Sequence, residues 1–217
     1  MAATTPRREG TVFIIDDDAS FLKSMARLLS AVGYTVRAYE SAQEFLEQLG
    51  PETSGCVVTD LQMPGMDGLK MQEALSKTAN PLPVIFLTGQ GDIPKTVSAM
   101  RSGAEDFLTK RAPKEEVLAA IERAFERETL ERQQRGRLRE LHHRFHDLSE
   151  RELEVLGHVV QGKMNKEIAA DLNINERTVK LHRTNLTRKL KVQSVAELTR
   201  LADEAGLFKA GKAPSVV

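Results

Sequence analysis

Four short apolar runs in this chain each end in residues able to handle a phosphoryl group or a cation. Val12-Phe13-Ile14-Ile15 is followed by Asp16-Asp17-Asp18, and Cys56-Val57-Val58-Thr59 by Asp60. Val84-Ile85-Phe86-Leu87 is followed by Thr88-Gly89, and Asp106-Phe107-Leu108-Thr109 by Lys110. Clustered carboxylates repel unless a cation lies between them. Mg²⁺ takes oxygen ligands in an octahedron and keeps some of its waters. Asp17, Asp60 and the backbone carbonyl of Gln62 can supply three protein oxygens, with Asp16 acting through water. Asp60 is the candidate phosphoryl acceptor, because it ends the central run and precedes the loop Leu61-Gln62-Met63-Pro64-Gly65. A phosphoryl group brings about two negative charges. Lys110 offers a point charge for one of its oxygens, and Thr88 a hydroxyl donor for another. A lone Asp at a strand end is ordinarily a turn residue, and a lone Lys a solvated charge. The joint occurrence of these groups is what carries the reading.

Such groups converge only if the elements bring them to one edge. Short runs buried on both faces and alternating with helix-length segments predict a parallel α/β sheet, and ligands sit at the carboxyl ends of its strands. The pattern predicts strands over 11–16, 35–39, 56–60, 83–88 and 105–109. Helices are expected over 19–32, 41–49, 68–77, 92–102 and from 113 onward. Ser41 to Glu44 reads as a capping box, Gly33 as a helix stop, and Pro113 as a first-turn residue. The fold class is therefore α/β plus all-α: a doubly wound, five-stranded, flavodoxin-like sheet, a long helical linker and a smaller helical module.

Charge divides the chain in the same way. The whole is neutral, with 31 Lys and Arg against 31 Asp and Glu. Residues 1–121 are net acidic and residues 148–217 net basic, a modest surplus that suits a polyanionic partner for the second module. The single cysteine, Cys56, lies within an apolar run and reads as a buried small hydrophobe. No apolar run approaches the roughly 18 residues of a membrane span. Met1 to Gly10 lacks the apolar stretch of a signal peptide, so no membrane is expected and the chain is expected to be cytoplasmic.

The helical pattern after Lys114 continues through a charged stretch, and apolar spacing resumes at Leu138, Leu141, Phe145 and Leu148. Gly136 is the only breaker, costing a helix about 1 kcal/mol. Either one long helix or two helices with a joint fits. Beyond residue 148 the punctuation gives four short helices in a bundle. They begin at Ser149, Asn165, Asn175 and Ser194, each read as a cap. In the third, Val179, Leu186 and Leu190 form the buried stripe, leaving Lys180, Leu181, Thr184 and Arg188 on the opposite side. A short helix, a turn and a helix with a polar, basic outer face make a helix-turn-helix unit for double-stranded DNA. Lys180 can read guanine edges, and Leu181 and Thr184 thymine methyls. Lys166, Thr178, Arg183, Arg188 and Lys189 suit phosphates, which position but do not specify. His142 and His146 are one turn apart in the linker but have no evident third protein ligand, so they read as a solvated face.

These residues also carry a resemblance. Ile15-Asp16-Asp17-Asp18, Val58 to Gly68, Leu87-Thr88-Gly89 and Gly103 to Lys110 resemble the receiver domain of two-component response regulators. Leu148 to Leu156, Asn165 to Ala169 and Thr178 to His182 resemble the LuxR-type four-helix module. Together they are similar to the NarL/FixJ family of transcriptional regulators. The resemblance implies that a sensor histidine kinase phosphorylates Asp60 with Mg²⁺ as cofactor. It implies that Thr88 and Phe107 switch together, that the chain forms a homodimer on phosphorylation and binds promoter DNA, and that RNA polymerase is a further partner. His182 falls on a family position that is structural or phosphate-facing. The expected domains are a disordered N-terminus 1–9, a receiver domain 10–125, a helical linker 126–147, a DNA-binding domain 148–208 and a disordered tail 209–217. One departure stands out: Arg111 follows Lys110 where the family has proline in a cis bond. A non-proline cis bond costs about 3 kcal/mol, so a trans or rearranged loop is expected.

Two other readings use the same residues. An aspartyl-phosphate phosphatase of the dehalogenase type resembles Asp-x-Asp-x-Thr at its nucleophile, which Asp60 to Pro64 does not match, so the chain is not expected to be an enzyme. A receiver acting as a phosphate-independent dimerisation platform has the complete acidic set against it and Arg111 in its favour.

Overall fold

The structure, a computed structural model, describes residues 10–89 and 93–207, without side chains at 93–95. The terminal segments expected to be disordered, 1–9 and 209–217, lie outside the described residues. The chain divides into two compact units, Met1–Arg132 and Gln133–Val217. The division falls inside the segment expected as linker.

In the first unit, β1 (Thr11–Ile15), α1 (Ala19–Val32), β2 (Thr35–Tyr39), α2 (Ala42–Glu47), β3 (Gly55–Thr59), α3 (Gly68–Ser76), β4 (Val84–Thr88), α4 (Ile93–Arg101) and β5 (Asp106–Thr109) alternate along the chain. All strand pairs are parallel and the order is β2-β1-β3-β4-β5. The alternation of side chains along each strand sorts the core into two faces. Val12, Ile14, Cys56, Val58, Ile85 and Leu87 pack with Leu22, Leu29, Val117 and Ile121 of α1 and α5 (Lys114–His146). Phe13, Ile15, Val57, Val84 and Phe86 pack with Phe45, Met71, Leu75 and Ala99 of α2, α3 and α4. Strands β3 and β4 are buried throughout, which is why they read as unbroken apolar runs. Burial pushes the Cys56 thiol well above its ordinary pKa, as expected of a packing residue rather than a nucleophile.

The strand order reverses between β1 and β3, so the chain leaves β1 towards one side of the sheet and β3 towards the other. That divergence opens a crevice at the carboxyl ends of these two strands. Ile15 pairs with Thr59, and the Asp60 N–H donates to the Ile15 carbonyl at 2.9 Å, so the acids that follow are held side by side.

Helix α5 is continuous over 33 residues, Gly136 included, so of the two linker forms the single helix is the one observed. The second unit takes the last turns of α5 with α6 (Glu150–Val160), α7 (Asn165–Asp171), α8 (Glu176–Leu190) and α9 (Val195–Glu204). Leu141, Phe145, Leu156, Ile168, Val179, Leu186, Leu190 and Leu198 form its core. Ser149 and Glu152 form the expected reciprocal capping box. The expected Asn165 cap is corrected: the N-cap is Met164, whose N–H donates to Glu167 Oε2 at 2.7 Å. Asn165 is the first helical residue, and its Oδ1 accepts from Arg183 instead.

Glu152 is almost fully buried, and its Oε2 accepts from Lys189 Nζ at 2.7 Å and from the Ser149 N–H at 2.8 Å. Burial works against the charge, but Lys189 and Ser149 outweigh it and hold the carboxyl below its ordinary value of 4.5. A depressed acid pKa stabilises the fold above the unfolded-state value, and that contribution is lost as pH falls through the folded-state value. Lys189→Met is therefore expected to cost about 1–3 kcal/mol at pH 7. The gap from the parent should shrink below about pH 4.5, as thermal unfolding across pH would register. A gap that stays constant with pH would refute the ion pair as its source.

Candidate functional site

The crevice between β1 and β3 brings together every acid expected there. One carboxylate oxygen from each of Asp16, Asp17 and Asp60 lies within 4.8 Å of the others. Asp16 is buried, Asp60 half-buried and Asp17 exposed, so the cluster opens to solvent on the Asp17 side. From the end of β5, Lys110 Nζ reaches Asp16 Oδ2 at 2.6 Å and Asp60 Oδ2 at 2.9 Å. It also lies 4.7 Å from the Phe21 ring centroid, a cation–π contact that orients it. Asp16 Oδ1 accepts the Asp18 N–H at 3.0 Å, and Asp60 Oδ1 accepts the Leu61 N–H at 2.6 Å. Asp16 Oδ2 has Lys110 as its ion-pair neighbour but no well-directed hydrogen bond.

Electrostatics follow from this placement. Burial is the largest influence on Asp16 and raises its pKa, against the opposing pull of Lys110 and the Asp18 N–H. For Lys110, burial would lower the pKa, but Asp16 and Asp60 together leave it raised, so the ammonium stays charged. Three carboxylates with one ammonium leave a surplus of two negative charges on an all-oxygen donor set. That fits a hard divalent cation such as Mg²⁺. Gln62 sits in the loop directly after Asp60, with its N–H 3.4 Å from Asp60 Oδ1. Gly68 lets the start of α3 close over the acceptor: a Cβ there would meet the Asp60 carbonyl at 2.4 Å.

Thr88 is buried at the end of β4, and its carbonyl accepts the Lys110 N–H at 2.8 Å, which ties the Thr88 and Lys110 strand ends together. Phe107 is half-buried against Phe86, with ring centroids 6.0 Å apart. Arg111 is accommodated with a trans bond, since no cis peptide occurs among the described residues. The Ala112 N–H turns back to the Thr109 carbonyl at 2.9 Å, and Lys110 still reaches both carboxylates.

The second site is the outer face of α8. Asn175 caps the helix, its Oδ1 accepting both the N–H and the hydroxyl of Thr178. Val179, Leu186 and Leu190 are buried, while Arg177, Lys180, Leu181, Thr184 and Arg188 form one exposed stripe. Arg177 is an addition that sequence reasoning passed over. It lies three and four residues before Lys180 and Leu181, a spacing that could have revealed it. Lys166 is exposed on α7. Arg183 Nη1 donates to Asn165 Oδ1 at 2.8 Å, joining α8 to the start of α7. Lys189 stands apart from the other residues expected to meet phosphate. Its ammonium donates to Glu152 and to the Asp147 carbonyl at 3.0 Å, a cross-helix tie that the sequence reading missed. His182 is half-buried beside the stripe.

Comparison with known proteins matches each part of the chain to a family. Residues 12–122 match the response regulator receiver domain, and residues 146–202 match the bacterial regulatory proteins of the luxR family. The response regulator protein TodT of Pseudomonas putida is 39% identical over 196 residues, covering 90% of this chain and 86% of the relative. The transcriptional regulatory protein FixJ of Bradyrhizobium diazoefficiens is 36% identical over 200 residues, covering 92% and 98%. A low-resolution structure of the response regulator StyR superposes with a TM-score of 0.81 at 41% identity, covering 91% of this chain and 100% of that one.

Proposed function

This chain belongs to the response-regulator family that joins a receiver domain to a LuxR-type DNA-binding module, and from that premise we propose that a phosphoryl group on Asp60 switches its binding to promoter DNA. The family is one of transcription factors rather than enzymes. The observation that carries the proposal is the convergence of Asp16, Asp17, Asp60 and Lys110 in the β1–β3 crevice.

A sensor histidine kinase is the proposed donor. An Asp60 carboxylate oxygen bonds to phosphorus as the P–N bond to the kinase histidine breaks, and the imidazole leaves with the electron pair. Asp16, Asp17, Asp60 and the Gln62 carbonyl are the groups that would hold Mg²⁺, which would supply charge neutralisation there. Lys110 follows the new charge on Asp60 with its ammonium, and the Thr88 hydroxyl donates to a phosphoryl oxygen. Phe107 moves with Thr88, reshaping the face formed by α4 and β5. Val97 and Met100 are exposed on α4, giving that face the apolar content a dimer contact needs.

In the dimer, two α8 helices meet half-sites about one DNA turn apart. Lys180 reads guanine edges, and Leu181 and Thr184 read thymine methyls. Arg177, Arg188, Lys166, Arg183 and Thr178 face phosphates. Lys189 contributes through its tie to Glu152 rather than as a free cation. RNA polymerase is the proposed downstream partner. No described helix is long and apolar enough to cross a membrane.

The test is intact-mass measurement after incubation with acetyl phosphate. The expected result is a single phosphoryl adduct that forms with Mg²⁺ and does not form when EDTA is present from the start. An unmodified chain under both conditions would instead favour a receiver that serves only as a dimerisation platform.

A further inference from the structure

A cavity of about 190 Å³ lies within the receiver unit, away from both sites described above. It opens beside Val84 at the start of β4, the end of that strand opposite Thr88. Buried Leu82, Pro83 and Val84 give it apolar walls, and Ser102 and Arg127 stand exposed around it. An apolar cavity of about 150 Å³ takes a molecule the size of benzene, so a guest of roughly six heavy atoms fits here.

Gln72 of α3, also in the lining, decides the chemistry of that guest. It is only 4% exposed. Its Nε2 donates to the Ala99 carbonyl at 3.4 Å and to the Ser102 carbonyl at 3.2 Å. Those two carbonyls fix which way the amide points, because an oxygen in that place would face acceptors alone. Oε1 is then left buried with no hydrogen-bond partner among the described residues. A guest that meets it must donate an N–H or O–H. Charge at the mouth is already balanced. Arg127 Nε donates to Glu131 Oε1 at 2.8 Å, and Arg127 Nη1 donates to Glu105 Oε2 at 3.4 Å. A charged guest would shed its water there without a free counter-charge to meet. The fit is an uncharged donor on a small apolar body, and a primary amide is the simplest example.

We infer that this cavity is a regulatory site for a small uncharged amide-like molecule, whose N–H bonds to Gln72 Oε1. The regulation follows from what Gln72 holds. Ala99 lies in α4 and Ser102 directly follows it, so the amide that meets the guest also pins the end of that helix. The cavity depends on α4 staying where Gln72 holds it. A guest therefore opposes movement of α4, and by linkage it opposes donor-driven dimerisation. The regulation rests on the proposal that α4 is reshaped on phosphorylation, whereas the binding stands without it.

The probe is isobutyramide. Isobutyrate, which has the same shape but no N–H and a full charge, is its counterpart. Heteronuclear NMR of the full-length chain should show saturable shifts at Ser76, Val84, Ser102 and Gly103, with a dissociation constant on the order of millimolar for so small a guest. Isobutyrate should bind at least about tenfold more weakly. Gln72→Met keeps the length of the side chain and removes the acceptor, so the preference for the amide should vanish. If that variant does not fold, the two probes on the parent chain decide the matter. Saturating isobutyramide should weaken dimerisation driven by acetyl phosphate and Mg²⁺ about fivefold or more. No shifts at these residues, equal affinity for the two probes, or an amide preference that survives in folded Gln72→Met would overturn the site. Binding with unchanged dimerisation would overturn the regulation. A chain that never dimerises with the phosphodonor would count against the phosphorylation reading and the regulation together, with the NMR result still deciding the site.

Discussion

Asp60→Asn is expected to remove the response of this protein to a phosphodonor. In the parent chain, acetyl phosphate with Mg²⁺ should drive dimerisation, read as a shift in mass by sedimentation or light scattering. In the variant, the curves with and without donor should superpose. The reason is chemical: an amide has no anionic oxygen to attack phosphorus, and it removes one of the three charges that fit the site for a divalent cation. The size of the effect follows from what a switch requires. Moving a population from mostly inactive to mostly active needs about 5.5 kcal/mol, or about 10⁴-fold, of differential stabilisation. One phosphoryl group with one to three charge-assisted hydrogen bonds, added to an interface, is of that order. The substitution is nearly isosteric, and Lys110 retains its contact with Asp16, so the receiver should stay folded. Donor-driven dimerisation that survives in Asp60→Asn would place the switch elsewhere.

The second large effect belongs to α8. Removing the exposed cations together, as Arg177→Ala, Lys180→Ala and Arg188→Ala, should weaken DNA binding by about 10²–10³-fold at 0.15 M salt. The individual substitutions should differ in kind. Arg188→Ala, at a phosphate contact, should lower affinity for all sequences alike and reduce the slope of log K against log salt by about 1. Lys180→Ala should cost about 1–3 kcal/mol on a site selected from a random pool and relax preference at one base pair, because a base-edge contact is lost. Lys189→Met should behave like neither. Its ammonium is bound to Glu152 and Asp147, so its cost should register in thermal stability, with the salt slope nearly unchanged. Equal salt slopes in the parent and the triple variant would remove α8 from the DNA interface.

Much of this molecule is legible in its sequence, for identifiable reasons. The strand boundaries fall within a residue or so of those read from apolar runs, because β3 and β4 are buried on both faces and cannot hold a polar residue until they end. The acids and Lys110 are legible because a parallel sheet sends all its strand ends to one edge. The position of Lys110 after the Arg111 substitution is not legible. It depends on a turn closed by the Ala112 N–H, and no side-chain pattern reports that. Asn165 illustrates a second limit. Its type suits a cap, but Glu167 reaches the Met164 N–H first, and Arg183 takes the amide oxygen that remains. Lys189 illustrates a third. A basic residue on a DNA-binding helix reads as a phosphate contact until a buried carboxylate 37 residues earlier is seen to claim it. Local pattern finds elements and strand ends, whereas pairings between distant helices need the fold.

Phosphorylation of the receiver is linked to DNA binding by α8, and the affinity of the full-length chain for a duplex selected from a random pool tests that link most directly. Fluorescence anisotropy at fixed salt and Mg²⁺ gives the dissociation constant with and without acetyl phosphate. The link predicts tightening of at least about tenfold, or about 1.4 kcal/mol, on adding the donor, and no change in Asp60→Asn. Equal affinities in the parent chain, measured while intact mass confirms the phosphoryl adduct, would contradict it.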